Sequence, residues 1–262
     1  MKKIAAFLSA VMLMVITFGV SVMADGEEIS VTLIIEGVSE NLCNRTYTTT
    51  NTNLADFLRE VDLREDSLSF TIEDSGYGPY LTKVNDDEAG SHGAWSGWMF
   101  LVNGVSSPTG IGSTVLSDND TVILYFSDQN GVGFQFPEFD FSGIAEGKVK
   151  VTSSDADYNN VVTVNPVKGA KVKWYVTESD VREYITDDNG EFTVEEDALT
   201  AGSHKVTISK YDEAGTPLVL RTEASVNVDV STGDSGTAGI WIIAIAASAA
   251  VFAAVRKRTV NV

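Results

Sequence analysis

Alternation of apolar and polar residues is the dominant pattern of this chain, and it predicts β-strands. Residues 29–36 alternate between an apolar and a more polar side, and residues 68–72 do the same. The more continuous apolar segments 98–102 and 121–126 predict buried strands. An Asn-Gly dipeptide at 103–104 is typical of a hairpin turn between strands. We therefore expect four or five strands in the first half of the chain.

One segment has helical spacing instead. Leu54, Phe57, Leu58 and Val61 recur at the interval that places them on one face of a helix, and Asn53 precedes them as an N-cap residue. A single helix among several strands predicts a small α+β domain, which we place at residues 25–130.

The second half of the chain predicts another β domain at residues 148–230. Short alternating strands are separated there by polar turns at 159–160, 188–190 and 214–215, which is the pattern of a β-sandwich. The chain as a whole is therefore expected to be mainly β.

The joint between the two predicted domains, residues 131–147, is unusually aromatic. It contains Phe134, Phe136, Phe139 and Phe141. Because large apolar rings are seldom left in water, we expect them to pack between the two domains. An aromatic rim that faces a ligand is the alternative.

The two ends of the sequence predict where the protein resides. Residues 1–24 have the basic start, apolar stretch and small-residue exit of a cleaved secretory signal peptide; a retained N-terminal anchor is the alternative. A spacer at 231–239 leads into an apolar stretch at 240–255, followed by a basic tail at 256–262. This pattern predicts one transmembrane helix, a cytoplasmic tail and an extracellular body.

Charge and cysteine content narrow the class of protein. All 37 acidic residues but only 13 of the 18 basic ones lie between residues 25 and 239. So acidic a body repels phosphate backbones, which argues against nucleic-acid binding. The single cysteine, Cys43, allows no intramolecular disulfide, so the domains must depend on their hydrophobic cores. Exported proteins without disulfides are typical of Gram-positive bacteria.

Motifs for catalysis are absent from the sequence. It has no nucleophile elbow, zinc-protease helix, phosphate-binding loop or Cys-x-x-Cys pair. The two histidines, His92 and His204, fall in different predicted domains. Ser91 is not expected to form a dyad with His92, because adjacent side chains of an extended chain point apart. We expect a protein that is not an enzyme and requires no cofactor.

Two acidic segments of the sequence are candidates for cation sites. Residues 187–190 resemble the middle of a calcium-binding loop, but Ile185 stands where the first acidic ligand is needed, so a hairpin turn is expected. The acidic residues 86–88 are expected to form a solvated loop. We therefore predict no metal site.

The segment 76–126 is the strongest candidate for binding, since it concentrates aromatic residues among glycines. Trp98 and Phe100 alternate along the predicted strand and are assigned to the core. Tyr77, Tyr80, Trp95 and Met99 lie on the other side of that strand or in glycine-rich loops. Aromatic side chains on loops commonly contact flat, partly apolar ligands.

The first domain resembles the transcobalamin-like C-terminal domain, whose bacterial form is a domain of unknown function. The resemblance is carried by residues 54–58 (LADFL), 76–85 (GYGPYLTKVN), 96–104 (SGWMFLVNG) and 116–122 (LSDNDTV). In the cobalamin carriers of animals, the related β-domain covers one face of the vitamin. The resemblance implies that the loops around residues 77–81 and 95–100 face a corrinoid. The implied ligand-binding residues are Tyr77, Tyr80, Leu81, Trp95, Trp98 and Met99.

This chain departs from those carriers, which enclose cobalamin between the β-domain and a large helical barrel. No barrel is predicted here, so strong binding would need a partner protein or a second domain to close the site. Residues 148–230 resemble the immunoglobulin-like repeats of bacterial surface proteins and the carboxypeptidase regulatory-like fold, which implies a spacer or adhesive module. Thr232 and Gly233 resemble part of a Gram-positive sorting signal, but its leucine and proline are missing, so membrane retention is expected rather than sortase cleavage.

These observations predict a non-enzymatic surface protein that binds cobalamin or another corrinoid through its first domain. The alternative is an adhesin or structural surface protein with a protein or glycan partner.

Overall fold

The computed structural model describes residues 26–74, 76–128, 133–156 and 161–228 of the 262-residue chain. The predicted signal peptide, spacer, transmembrane helix and basic tail lie outside these residues. Within the described ranges, no helix is both long and apolar enough to cross a membrane. The described residues are mainly β, as predicted.

The described residues of the first half (26–74 and 76–128) contain eight strands, more than the four or five expected, and one helix. They are β1 (Ile29–Glu36), β2 (Asn41–Thr49), α1 (Leu54–Arg64), β3 (Phe70–Asp74), β4 (Pro79–Val84), β5 (Asp87–Glu88), β6 (Gly97–Val102), β7 (Val105–Ser106) and β8 (Asp120–Ser127). Two of these strands have only two residues, and the helix begins where the apolar spacing placed it.

Helix α1 begins after Asn53 because that side chain caps it. The side-chain Oδ1 of Asn53 accepts hydrogen bonds from the backbone N–H groups of Ala55 and Asp56, at 3.0 and 3.3 Å. Phe57 and Leu58 are buried in the first core, as the helical spacing predicts. The cap and the apolar face therefore fix both the start and the orientation of the helix.

The main sheet of the first half runs in the order β2–β1–β8–β6–β7, and β1 is parallel to β8. Alternate residues of its central strands face opposite cores. Leu124 of β8 belongs to the core beneath α1, whereas Ile123 and Tyr125 pack on the opposite side of the sheet. Because both faces are covered, β8 is apolar at consecutive positions.

The described residues of the second half (133–156 and 161–228) contain eight more strands and two short 3-10 turns. The strands are β9 (Pro137–Asp140), β10 (Lys148–Ala156), β11 (Val162–Pro166), β12 (Lys171–Tyr175), β13 (Val181–Ile185), β14 (Glu191–Thr193), β15 (Gly202–Ser209) and β16 (Thr222–Val228). The turns are Ile144–Glu146 and Glu196–Ala198.

Two sheets enclose the core of this half. One is antiparallel in the order β13–β12–β15–β16, and the other is built on β10, which pairs with β9, β11 and β14. Trp174 is fully buried between them, and its indole N–H donates to the carbonyl oxygen of Ala198 at 3.1 Å. The core also contains Val151 of β10 and Val206 of β15.

The four phenylalanines of the joint divide between two environments. Phe134 and Phe136 pack against Tyr125 of the first half, with ring centroids 4.4 and 5.4 Å apart, in a cluster that includes Leu220 of the second half. Phe139 and Phe141 stack on each other and contact the second core. Within segment 131–147, Pro137–Asp140 form strand β9, which pairs with β10 of the second half.

Candidate functional site

An apolar pocket of about 230 Å³ opens on the first half beside β4 and β6. Tyr80 and Leu81 of β4, Trp98 and Phe100 of β6, and the segment between β7 and residue 111 contribute to its wall. Four of the six residues that the sequence implied for ligand binding (Tyr80, Leu81, Trp98 and Met99) belong to the lining.

The floor of the pocket is part of the protein core. Leu81 and Trp98 are almost fully buried. The Trp98 indole N–H donates to the backbone oxygen of Asp87 at 2.9 Å, and its ring packs edge-to-face on Phe126. Trp98 is therefore held rigidly, and it can offer a ligand only the part of its ring that faces the pocket.

Tyr80 is the lining residue best placed to contact a ligand, since 46% of it is exposed. Gly112 packs against Pro79 so closely that a Cβ would overlap the proline ring. This close approach brings the loop that contains Gly112 against the start of β4. The pocket wall therefore depends on a glycine that the aromatic pattern alone does not single out.

Tyr77 and Trp95 do not line the pocket. Tyr77 lies in the turn that precedes β4, Trp95 lies just before β6, and both side chains are strongly exposed (102% and 71%). They belong to the two segments that lead into the strands of the pocket, as the sequence predicts. A ligand larger than the pocket could contact them on these segments.

Met99 belongs to the pocket lining, but its side chain is half-buried and not exposed like those of Tyr77 and Trp95. Its neighbours Trp98 and Phe100 face the first core, so the alternation of β6 turns the Met99 side chain to the opposite face. There it is half-buried against the cluster that contains Tyr125 and Phe134. Its side chain serves the contact between the two halves.

The acidic segment 86–88 has a structural role at one position. The Asp87 carboxylate accepts a hydrogen bond from the backbone N–H of Val38 at 2.8 Å, and its backbone oxygen binds Trp98. Asp86 and Glu88 are exposed. The expected solvated loop is therefore wrong for Asp87 and Glu88, which form the short strand β5 against β4.

The Ser91 and His92 side chains do meet, contrary to the expectation from an extended chain. The Ser91 hydroxyl and His92 Nδ1 are 3.0 Å apart, because these residues lie in a turn and not in a strand. The His92 ring packs edge-to-face on Phe126. His204 lies in the second core, where it stacks on Trp174.

Residues 187–190 form a closed turn. The Asp187 carboxylate accepts hydrogen bonds from the backbone N–H groups of Asn189 and Glu191, both at 2.8 Å, and the bond from Glu191 lowers the pKa of Asp187 most. The turn joins β13 to β14, which belong to different sheets, so it is not the expected hairpin. In the described residues, no cluster of three or more His, Cys, Asp or Glu side chains could hold a metal ion.

Comparison with known proteins bears mainly on the first half. Residues 63–128 match the model of a family described as "Domain of unknown function (DUF4430)", and this range includes the whole lining of the pocket. The match confirms the predicted resemblance to the bacterial form of the transcobalamin-like domain. None of the curated proteins matches the chain.

Two solved structures have a limited likeness to this chain. Haptocorrin in complex with Cbi is 22% identical over 39% of this chain and 26% of its own, with a TM-score of 0.36. A structure from Ruminococcus gnavus, titled as that of a candidate metal-binding protein, is 23% identical over 38% of this chain and 96% of its own, with a TM-score of 0.31. This chain thus matches about a quarter of the haptocorrin chain. Likenesses at these TM-scores do not indicate what this chain binds.

Proposed function

We propose that this chain is a non-enzymatic binding protein of the cell surface, and that its first half contacts cobalamin or another corrinoid. The observation that carries the proposal is the apolar pocket between β4 and β6, with Tyr80 at its wall and exposed aromatic residues on the adjoining segments. A flat macrocycle with an apolar face matches such a surface. The resemblance of this half to the transcobalamin-like domain implies the same class of ligand.

The size of the pocket suggests that one protein covers only part of the ligand. Its volume of about 230 Å³ lies below the roughly 300–1,000 Å³ usual for small-molecule sites. A corrin placed against it would extend over Tyr77 and Trp95 and leave its other face open. We therefore propose a second protein that completes the site, with the chain anchored by the predicted helix 240–255.

Calorimetric titration of the full-length chain with cobalamin and with cobinamide tests this proposal. A complex worth about 5.5 kcal/mol is half-formed at about 100 μM ligand, which is within reach of the method. Absence of a heat signal for both ligands at this concentration would contradict corrinoid binding by the chain itself.

Substitution locates the binding surface. Trp95→Ala removes an exposed ring and is expected to weaken binding about tenfold with little effect on folding, since loss of one aromatic contact is worth roughly 1 kcal/mol or more. Tyr211→Ala, which removes an exposed tyrosine of the second half, is the matched control and should leave corrinoid binding unchanged. Equal weakening by both variants would contradict a corrinoid surface on the segment that leads into β6.

An adhesin or structural surface protein is the second candidate. The exposed rings of Tyr77 and Trp95 would equally suit a protein or glycan surface, because aromatic residues are enriched at protein interfaces. This function would be favoured if the wild-type chain retained a protein or glycan partner that Trp95→Ala lost, while neither chain bound a corrinoid.

A further inference from the structure

A cleft of about 530 Å³, larger than the apolar pocket of the first half, lies between the two halves of the molecule. Its lining combines residues of the β1–β2 hairpin with residues of the outer face of the sheet β13–β12–β15–β16. The volume falls within the roughly 300–1,000 Å³ usual for small-molecule sites. Neither half contains the complete cleft by itself.

The outer face of the four-stranded sheet supplies a polar floor. Lys173 of β12 pairs in register with Thr207 of β15, which pairs with Glu223 of β16. The alternating neighbours Trp174 and Val206 are buried in the core, so these three side chains point away from it, and all three line the cleft. The floor is therefore a row of hydrogen-bonding groups across three strands.

The first half supplies amide groups on the opposite wall. Asn41 and Asn44 of β2 are exposed and line the cleft. The Asn41 amide donates to Glu36 at 3.2 Å, which orients its side chain. An amide side chain offers both donors and acceptors, so this wall can bind ligand hydroxyl groups either as hydrogen-bond donors or as acceptors.

Two tyrosines add amphipathic surface to the second half of the cleft. Arg221 Nη1 donates to the Tyr211 hydroxyl at 3.2 Å. Lys205 Nζ lies 4.7 Å from the centroid of the Tyr175 ring. These contacts hold both rings in place, so little side-chain entropy remains to be lost on binding.

Apart from the exposed Glu40, the charged side chains of the cleft form ion pairs. Arg221 forms an ion pair with the buried Glu36, Lys173 lies 3.8 Å from Glu183, and Glu223 lies 3.3 Å from Lys205. A lining of paired charges, amides and hydroxyls favours a neutral polar ligand. The net charge of −19 also disfavours anions.

We propose that this cleft binds a neutral saccharide. A sugar ring has hydroxyl groups around its edge and weakly apolar C–H faces, so the amides, Thr207 and the tyrosines match both parts of it. The cleft is distinct from the apolar pocket, and the two share no lining residue.

Isothermal titration and saturation-transfer NMR of the full-length chain with maltotriose, cellotriose and triacetylchitotriose test the proposal. The chain is kept in a detergent without a sugar headgroup, because such a headgroup would compete for the cleft. At least one of the three sugars is expected to bind with a dissociation constant of about 1 mM or tighter. Absence of binding by all three at about 10 mM would overturn the proposal.

Variants place the sugar in the cleft. Asn44→Ala and Tyr211→Ala are each expected to weaken binding about tenfold, the effect of losing one good polar or ring contact. Asn227→Ala is the matched control, since Asn227 is an exposed amide on β16 that does not line the cleft. Thermal melts establish that each variant is folded, and Asn44→Ala carries the test if Tyr211→Ala is unstable.

Two outcomes would assign the cleft differently. Binding that Asn44→Ala and Tyr211→Ala leave unchanged would place the sugar elsewhere and overturn the proposal. Binding of tetraglycine but of none of the sugars would identify a peptide cleft and would also overturn it. Trp95→Ala should not affect sugar binding, so this proposal and the corrinoid proposal can fail separately.

Discussion

At the scale of single residues, Glu36 and Arg221 form the most buried ion pair in the described part of the chain. Glu36 is fully buried and the Arg221 side chain is only 15% exposed. Burial raises the pKa of Glu36 above its ordinary value of 4.5, although the charge and hydrogen bonds of Arg221 oppose this shift. The carboxylate therefore depends on Arg221 to remain ionised inside the protein.

Arg221→Met is expected to destabilise the protein at neutral pH by about 3–5 kcal/mol, because it leaves the buried Glu36 carboxylate without its cationic partner. The double variant Glu36→Gln/Arg221→Met should recover much of this loss. Chemical unfolding of the three variants and the wild type measures the cycle. Destabilisation by Arg221→Met that the second substitution does not relieve would contradict the role of the buried charge.

The pH dependence of this effect has a defined sign. Since the folded-state pKa of Glu36 is raised, the folded state binds a proton more readily than the unfolded state between pH 4.5 and that raised value. The contribution of Glu36 to stability is therefore present at low pH and lost as pH rises through the folded pKa. The destabilisation caused by Arg221→Met should accordingly be smaller near pH 4 than at pH 7.

At the scale of structural elements, the turn between β13 and β14 shows how a glycine connects two sheets. Gly190 has a φ of +76°, and a Cβ there would overlap the carbonyl oxygen of Val151 on β10. The Gly190 carbonyl in turn accepts the Val151 N–H at 2.8 Å. Both the backbone conformation and the close approach require glycine.

Gly190→Ala is compared with Gly215→Ala to separate these two requirements. Gly215 also has a positive φ, +83°, but a Cβ there meets no atom within 4 Å. Gly215→Ala should cost about 1–2 kcal/mol for the left-handed conformation alone. Gly190→Ala should cost distinctly more in the same urea-unfolding measurement, and equal costs would show that the approach to Val151 is unimportant.

At the scale of the whole molecule, the described residues join the two halves by apolar packing, by the Glu36–Arg221 ion pair and by strand pairing. Phe134 and Phe136 bring Tyr125 and Leu220 into one cluster. The sheets of the two halves meet through one pair of residues, Val105 and Ala156. The cleft proposed for sugar binding exists only while this arrangement is maintained.

Phe134→Ala is expected to destabilise the contact between the halves by about 3–5 kcal/mol, the usual cost of deleting a buried phenylalanine. Hydrogen exchange followed by mass spectrometry should then show faster exchange near Ile34 in the first half and near Leu220 in the second. Phe139→Ala, in the same segment but against the second core, should affect only the second half. Confinement of the Phe134→Ala effect to one half would contradict its bridging role.

Much of the local structure was predictable because its signals lie within a few residues of one another. The cap at Asn53 and the spacing of α1 predict the helix, and the apolar runs predict β6 and β8. The half-burial of Met99 could not be predicted, because alternation gives two faces without saying that both are covered. The Ser91–His92 contact was missed because an irregular turn has no periodicity from which to read side-chain direction.

The sequence by itself determined helix α1, the strands β1, β6 and β8, and the segment that forms the apolar pocket, since periodicity and capping act over short distances along the chain. Only the tertiary structure decided which residues of distant segments meet. Glu36 and Arg221 are 185 residues apart in sequence, and Asn44 faces the same cleft as Tyr175. Such pairs depend on how two sheets pack across an interface, and no local pattern of residues encodes that arrangement.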